Sequence, residues 1–81
     1  MELKDTVCMM ESDDYKERFK AEYWQLKIRL DKLKAMLAKW DDCTLPFNPT
    51  CPRSTYTLQV RAMEDYLAVL HARAVMEEVR L

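Results

Sequence analysis

The sequence YKERFKAEYWQLKIRLDKLKAMLAKW, residues 15–40, predicts a long helix, because its apolar residues recur at alternating steps of four and three positions. This heptad spacing is typical of an α-helix that packs against another helix along one seam. Ser12 is the predicted N-cap, and Asp13 and Asp14 favour the first turn. The predicted seam consists of Phe19, Tyr23, Leu26, Leu30, Leu33, Leu37 and Trp40.

A second helix with the same spacing is predicted over residues 52–78, with Thr50 as its N-cap. A Pro-rich loop, residues 41–51, separates the helices because proline cannot continue a helix interior. We therefore expect an all-α fold, an antiparallel two-helix hairpin forming a single domain over residues 1–81. Residues 1–14 either add a short helix or stay loose. The second seam consists of Tyr56, Val60, Met63, Leu67, Leu70 and Ala74.

Both helices also carry apolar residues outside their seams, such as Trp24 and Ile28 on the first and Tyr66 and Val69 on the second. Helices that are apolar on more than one side are normally buried on more than one side. A hairpin this small cannot cover those residues itself, and it shows no disulfide framework or metal site to stabilise it. We therefore expect the chain to assemble into a homo-oligomer.

The composition excludes several classes of protein. Glycine is absent, which excludes Gly-rich phosphate loops and argues against a β fold. No apolar run is long enough to span a bilayer, and the N-terminus lacks the features of a signal peptide, so we expect a cytoplasmic protein. The three cysteines are expected to be free thiols, although Cys43 and Cys51 flank one loop and would be able to pair if oxidised. His71 is the single histidine, and no catalytic motif is present, so we expect neither an enzyme nor a metal or other cofactor.

Charge is distributed unevenly, although the formal net charge of the chain is only −1. Residues 1–14 carry a net charge of −4, residues 15–40 of +5 and residues 41–81 of −2. This segregation indicates that the middle segment faces something anionic, either a ligand or the acidic parts of neighbouring chains. The acidic N-terminus and the lack of a nucleic-acid-reading motif argue against a nucleic-acid polymer. A small anionic ligand fits this distribution of charge better than a nucleic-acid polymer does.

Two segments, YKERFKAEYWQLKIRLDKLKAML and LQVRAMEDYLAVLHARAVM, resemble the two helices of the helical-hairpin sponge proteins that phages use against CBASS and Thoeris immunity. The resemblance lies in an aromatic residue followed by arginine, glutamate and Leu-rich heptads in the first helix, and in spaced Gln, Met, Tyr, Leu and Arg in the second. The matching positions are Tyr15, Arg18, Glu22, Leu26, Leu33, Gln59, Met63, Tyr66, Leu70 and Arg73. The Pro-rich loop and the acidic N-terminus depart from the family pattern.

The resemblance implies an oligomer, with a hexamer favoured, that sequesters a cyclic nucleotide or cyclic ADP-ribose-type signal in the host bacterial cytosol without cleaving it. It implies pockets between protomers, in which Tyr15 stacks on a base and basic residues clamp the phosphates. Stacking on a tyrosine and a bidentate arginine contact to phosphate are both physically sound for such a ligand. The candidate basic residues are Arg18, Lys27, Arg29 and Arg73.

The candidates also have structural interpretations, and Tyr15 would then simply cap the seam of the first helix. Arg18 and Glu22 have the spacing of an ordinary i,i+4 ion pair, and Arg73 would bridge to an acid across an oligomer interface. Lysines that repeat every seven residues form either a solvated flank paired with acids or a positive row for phosphates. The alternative function is therefore an oligomeric coiled-coil adaptor or a protein inhibitor that has no small-molecule ligand. The repeating lysines are Lys20, Lys27 and Lys34.

Overall fold

The computed structural model describes residues 1–81, and all of its regular structure is helical. A 3₁₀ turn, Leu3–Thr6, leads into the one-turn helix α1, Val7–Met10, and the two long helices are α2, Tyr15–Asp41, and α3, Arg53–Met76. The long helices pack together as a hairpin, and the N-terminal elements pack on α2. The predicted all-α hairpin with a short N-terminal helix is therefore confirmed. None of the helices combines the length and the apolar character that a membrane crossing needs.

Contacts at the two ends of the hairpin establish that α2 and α3 run in opposite directions. Arg53 at the start of α3 forms an ion pair with Asp41 at the end of α2, with a nitrogen–oxygen distance of 3.3 Å. At the other end, the Arg73 guanidinium lies 4.9 Å from the centre of the Phe19 ring. The pairing is thus antiparallel along the whole hairpin.

The hydrophobic core lies where the two predicted seams meet. Leu70 is fully buried at its centre, and Trp24 packs against the cluster with its ring nearly perpendicular to that of Tyr23. Burying a leucine or phenylalanine side chain stabilises a fold by about 1.5–3 kcal/mol, so this small cluster contributes much of the hairpin's stability. The buried members are Phe19, Tyr23, Leu26, Leu70, Ala74 and Val79.

The starts of the two long helices differ from the predicted caps. Asp14 is the N-cap of α2, where its side chain accepts a hydrogen bond of 2.9 Å from the Lys16 amide, while Ser12 lies outside the helix and bonds the Asp14 amide. The cap of α3 is Pro52, without a side-chain hydrogen bond, so the Thr50 prediction was also wrong. The reason is steric. A helix capped by Thr50 would need the residue before Pro52 in the helical conformation, and a residue that precedes proline avoids that conformation.

The end of α3 is fixed by a residue in the left-handed conformation, Glu78, whose φ is 56°. The amide of Val79 donates to the carbonyl of Ala74 at 2.8 Å, which is the closing hydrogen bond of a Schellman motif. This turn folds Val79 back into the core beside Ala74. The helix consequently ends at Met76, two residues before the predicted boundary.

The same motif ends α2. Cys43 has a φ of 61°, and the amide of Thr44 donates to the carbonyl of Lys39 at 2.9 Å. Both caps therefore place a residue with a side chain where glycine is the usual choice, because this chain contains no glycine. The turn directs the Pro-rich loop back along α2.

The N-terminal segment covers a face of α2 that we expected to meet neighbouring chains. Thr6 is fully buried; its hydroxyl donates to the Leu3 carbonyl at 2.7 Å and accepts from the Gln25 side chain at 3.0 Å. Ala21 and Ile28, which share a helical face with Gln25, are buried. The expectation that Ile28 is left for another chain was wrong, because the chain's own N-terminus packs on this side of α2.

Candidate functional site

Two of the predicted binding residues, Arg18 and Arg29, line one cleft on α2. The cleft has a volume of about 300 Å³ and is bordered by α1, α2 and the Tyr66 side chain of α3. The two arginines are eleven positions apart, which is close to three helical turns and puts them on the same face of α2. The remaining lining residues are Met10, Ala21, Glu22, Gln25 and Leu26.

Both arginines keep hydrogen-bond donors free for a ligand. Arg29 is exposed and forms no ion pair or side-chain hydrogen bond with the rest of the chain. Arg18 is also exposed, and its Nη1 donates to the backbone carbonyl of Ser12 at 2.8 Å. A guanidinium has five N–H donors in a planar fork, so this single bond leaves Arg18 able to contact an anion while its position is fixed.

A carboxylate lies between the two arginines. Glu22 is partly buried and accepts a hydrogen bond from the hydroxyl of Tyr66, which joins α2 to α3 across the cleft. The ordinary Arg18–Glu22 ion pair that the spacing suggested does not form, since Arg18 turns toward Ser12 instead. The cleft therefore offers two cationic groups and one hydrogen-bond acceptor in a row along α2.

Tyr15 lies outside the lining of the cleft but close to one end of it. It is the first residue of α2, its side chain is 44% exposed, and Arg18 is three positions further along the helix. Residues three apart on a helix are neighbours on its surface, so Tyr15 lies next to Arg18, which lines the cleft. Its exposed face is available for stacking.

The structure does not bring Lys27 and Arg73 into this cleft. Lys27 pairs with Asp31 at 3.0 Å, and Arg73 pairs with Glu77 at 2.8 Å while its guanidinium covers the Phe19 ring. Each pair joins residues four apart in sequence, within α2 for Lys27 and between α3 and its C-cap residue for Arg73. Lys27 is thus paired with an acid, as the structural interpretation of the lysine row predicts, whereas Arg73 pairs within its own chain and not across an oligomer interface. Neither placement forms a shared phosphate clamp with Arg18 and Arg29.

The lysine row on α2 likewise has acidic partners. Lys20 pairs with Glu17 at 3.0 Å, and Lys34 pairs with Glu64 of α3 at 3.2 Å. Together with the Lys27 pair, these contacts occupy all three lysines of the row with carboxylates. The row is a charged flank of the hairpin, as the first of the two interpretations predicts.

Sequence reasoning missed three residues of the cleft, Met10, Ala21 and Gln25. The Gln25 side chain reaches Thr6 at 3.0 Å and the Met10 sulfur at 3.6 Å, and so connects the N-terminal segment to the floor of the cleft. A signal for Gln25 was present, because it follows Arg18 by seven positions and precedes Arg29 by four on the same face. Met10 carried no such signal, since its position depends on the folding back of α1.

A second cleft, of about 400 Å³, lies between the C-terminal half of α2 and the N-terminal half of α3. Its charges are largely satisfied, because Arg53 pairs with Asp41 and Lys34 pairs with Glu64. At the same end of the hairpin, desolvation by burial raises the pKa of Tyr56, and the neighbouring Cys51 raises it further. The ion pairs of this cleft therefore hold the end of α2 to the start of α3.

Cys8, Cys43 and Cys51 are free and exposed, in agreement with the expected free thiols. The chain does not group three or more histidine, cysteine or acidic side chains in a way that would hold a metal ion.

Comparison with known proteins identifies a family. No curated protein and no solved structure matches the chain. A family model described as Sequestin matches residues 13–76, which contain α2, the Pro-rich loop and α3. All of the lining residues of the arginine cleft except Met10 fall within this match. Because the match covers well over half of the chain, the protein belongs to the Sequestin family.

Proposed function

We propose that the protein binds a cyclic nucleotide or cyclic ADP-ribose-type signalling molecule and sequesters it without cleaving it. The family name itself denotes sequestration. The observation that carries the proposal is the cleft in which Arg18 and Arg29 lie together with donors unoccupied. Two guanidinium groups along one helix face suit a ligand with two phosphates, or one phosphate and a polar group, because arginine binds phosphate through paired hydrogen bonds.

The carboxylate of Glu22 adds a constraint on the ligand. A purely anionic compound such as a polyphosphate would be repelled by a carboxylate between its two binding groups. A nucleotide instead carries hydroxyl or amino donors beside its phosphates, and carboxylates in proteins accept hydrogen bonds from ribose hydroxyls and from base amino groups. The order of charges along α2 therefore favours a nucleotide over inorganic anions. Tyr15 at the end of the cleft would stack on a base.

We infer from the size of the cleft that a second chain completes the site. About 300 Å³ is at the lower limit of pockets that enclose a drug-sized ligand, and a cyclic dinucleotide would protrude from it. A neighbouring chain that covers the protruding part would complete the site. We accordingly propose a homo-oligomer, with the hexamer of the resembling sponge proteins as the favoured state.

An exposed apolar stripe on α3 suits this assembly. Val69 is 55% and Met76 72% exposed, and Tyr66 belongs both to the stripe and to the cleft. A chain that packs on the stripe would thus lie beside the bound ligand. Replacing Val69 with aspartate is expected to dissociate the oligomer in sizing chromatography, and an unchanged elution volume would argue against this interface. The stripe consists of Leu58, Ala62, Tyr66, Val69 and Met76.

The biological setting that we propose is immune evasion by a phage in the cytosol of its bacterial host. A protein that acts by sequestration needs only affinity for its ligand and a sufficient number of copies, and the charges of the cleft suit an anionic ligand. The alternative is a coiled-coil adaptor or a protein inhibitor, and the exposed apolar stripe of α3 is the observation that favours it. The two functions differ in whether a small anionic ligand stabilises the protein.

A thermal-shift assay with a panel of ligands distinguishes the sponge function from the adaptor function. The purified protein is mixed with cyclic dinucleotides, cyclic trinucleotides and cyclic ADP-ribose isomers, and a bound ligand in 100-fold excess over its Kd stabilises the fold by about 2.7 kcal/mol. Arg29→Gln is expected to abolish the shift, whereas Arg80→Gln, which removes the same charge from an exposed residue outside the cleft, should retain it. The absence of a shift with every compound would refute the sponge function and leave the adaptor.

A further inference from the structure

A third cleft lies at the other end of α2, between that helix and the Pro-rich loop. Its volume is about 260 Å³. The residues on α2 recur at helical spacing on one face, and the loop residues cover that face after the turn at Cys43. The lining residues are Lys32, Ala35, Met36, Lys39, Leu45, Pro46 and Phe47.

The charge of this cleft differs from that of the other two. Of the seven lysines in the chain, five form an ion pair or a hydrogen bond through their ammonium group, and the two that do not are Lys32 and Lys39. Both line this cleft, and no carboxylate does. The arginine cleft contains Glu22, and the cleft between α2 and α3 contains Asp41 and Glu64. The loop cleft thus differs in that every charged residue in its lining is positive.

The same cleft presents an aromatic ring in a fixed place. Phe47 is 53% exposed, although phenylalanine is a residue that folding usually buries. The loop that carries it is anchored on α2, because the amide of Thr44 donates to the Lys39 carbonyl at 2.9 Å and its hydroxyl reaches the same oxygen at 3.2 Å. An exposed ring therefore stands beside two unpaired ammonium groups, above a floor of Ala35 and Met36.

We propose that the loop cleft is a second binding site, for a small phosphate-bearing aromatic compound with a nucleoside monophosphate as its type. Lys32 and Lys39 would hold the phosphate, since unpaired ammonium groups are point charges that bind phosphate, and the base would stack on Phe47. The volume lies below the usual range for drug-sized ligands, so a mononucleotide fits the cleft better than a cyclic dinucleotide does. This site shares no residue with the arginine cleft and does not depend on the function proposed there.

Titration of the ¹⁵N-labelled protein with AMP, followed by amide chemical shifts, tests the proposal. We expect saturable shifts in residues 32–39 and 44–48, with adenosine and inorganic phosphate each binding at least about tenfold more weakly, because each supplies only half of the contacts. The double variant Lys32→Gln/Lys39→Gln should lose AMP binding by at least about tenfold, and Phe47→Leu by about fivefold or more. Both lysines are exposed and unpaired, so the double variant should fold normally, as its amide spectrum will report.

A matched control removes the same charge elsewhere. Lys20→Gln/Lys27→Gln takes two lysines from the opposite half of α2 and is expected to bind AMP as the unmodified protein does. The proposal would be overturned if this control lost as much AMP affinity as Lys32→Gln/Lys39→Gln does. It would also be overturned if Lys32→Gln/Lys39→Gln kept its AMP affinity, or if the amide shifts were confined to the arginine cleft. Arg29→Gln should leave AMP binding at the loop cleft unchanged. This last variant separates failure of the loop site from failure of the sponge function.

Discussion

Replacing Glu78 with glycine is expected to stabilise the protein. Glu78 has a φ of 56°, and a left-handed conformation costs a residue with a side chain about 1–2 kcal/mol. Glycine removes this strain but loses about 0.4–1 kcal/mol through the greater freedom of the unfolded chain. The difference predicts a net gain of about 0.5–1 kcal/mol in the free energy of unfolding. For a domain of this size, such a gain raises Tm by about 2–8 °C.

The assay is urea denaturation followed by circular dichroism, with Glu78→Ala as the control. Alanine removes the same carboxylate, whose charge is unfavourable at a helix C-terminus, but keeps the strained Cβ. Glycine should therefore exceed alanine by about 0.5–1 kcal/mol. Equal stability of Glu78→Ala and Glu78→Gly would mean that the left-handed conformation at residue 78 does not destabilise the protein.

Three further predictions concern the core, the N-terminal segment and the helix end. Leu70→Ala should lower the free energy of unfolding by about 2–5 kcal/mol in urea denaturation, because Leu70 is fully buried, and a loss under about 1 kcal/mol would contradict its place in the core. Thr6→Val removes the hydrogen bond with Gln25 and should raise amide exchange in residues 3–10, whereas unchanged protection would mean that this bond does not hold the segment. Tyr56 should ionise above its ordinary pKa in an ultraviolet titration compared with Tyr56→Phe. Because the folded state favours the neutral phenol, the associated stability is present below about pH 10 and is lost as the pH rises through the raised pKa.

The heptad spacing predicted both long helices because the burial of side chains along a helix is periodic. The helix ends were harder to predict. A Schellman cap is normally marked by glycine, and here Cys43 and Glu78 take that position without any signal of their own. The docking of the N-terminus was also unpredictable, because the hydrogen bond between Thr6 and Gln25 joins residues nineteen positions apart.

The candidate site was predicted in part. Arg18 and Arg29 were assigned through a family resemblance, and the structure brings them together because eleven residues complete three helical turns. Lys27 and Arg73 were assigned in the same way, but each lies four positions before an acid in the sequence and pairs with it. Glu22 was identified as a partner of Arg18, whereas its carboxylate bonds to Tyr66, a contact that requires the packing of α2 on α3.

Sequestration requires that the protein holds its ligand intact, and one measurement tests this requirement directly. The protein is incubated with the compound that gives the largest thermal shift, unbound ligand is removed by filtration, and the protein is denatured by heat. Mass spectrometry of the released fraction should recover the unmodified ligand in a fixed ratio to the protein chains, and far less from Arg29→Gln. Recovery of a cleaved product, or of no ligand at all, would contradict sequestration by this protein.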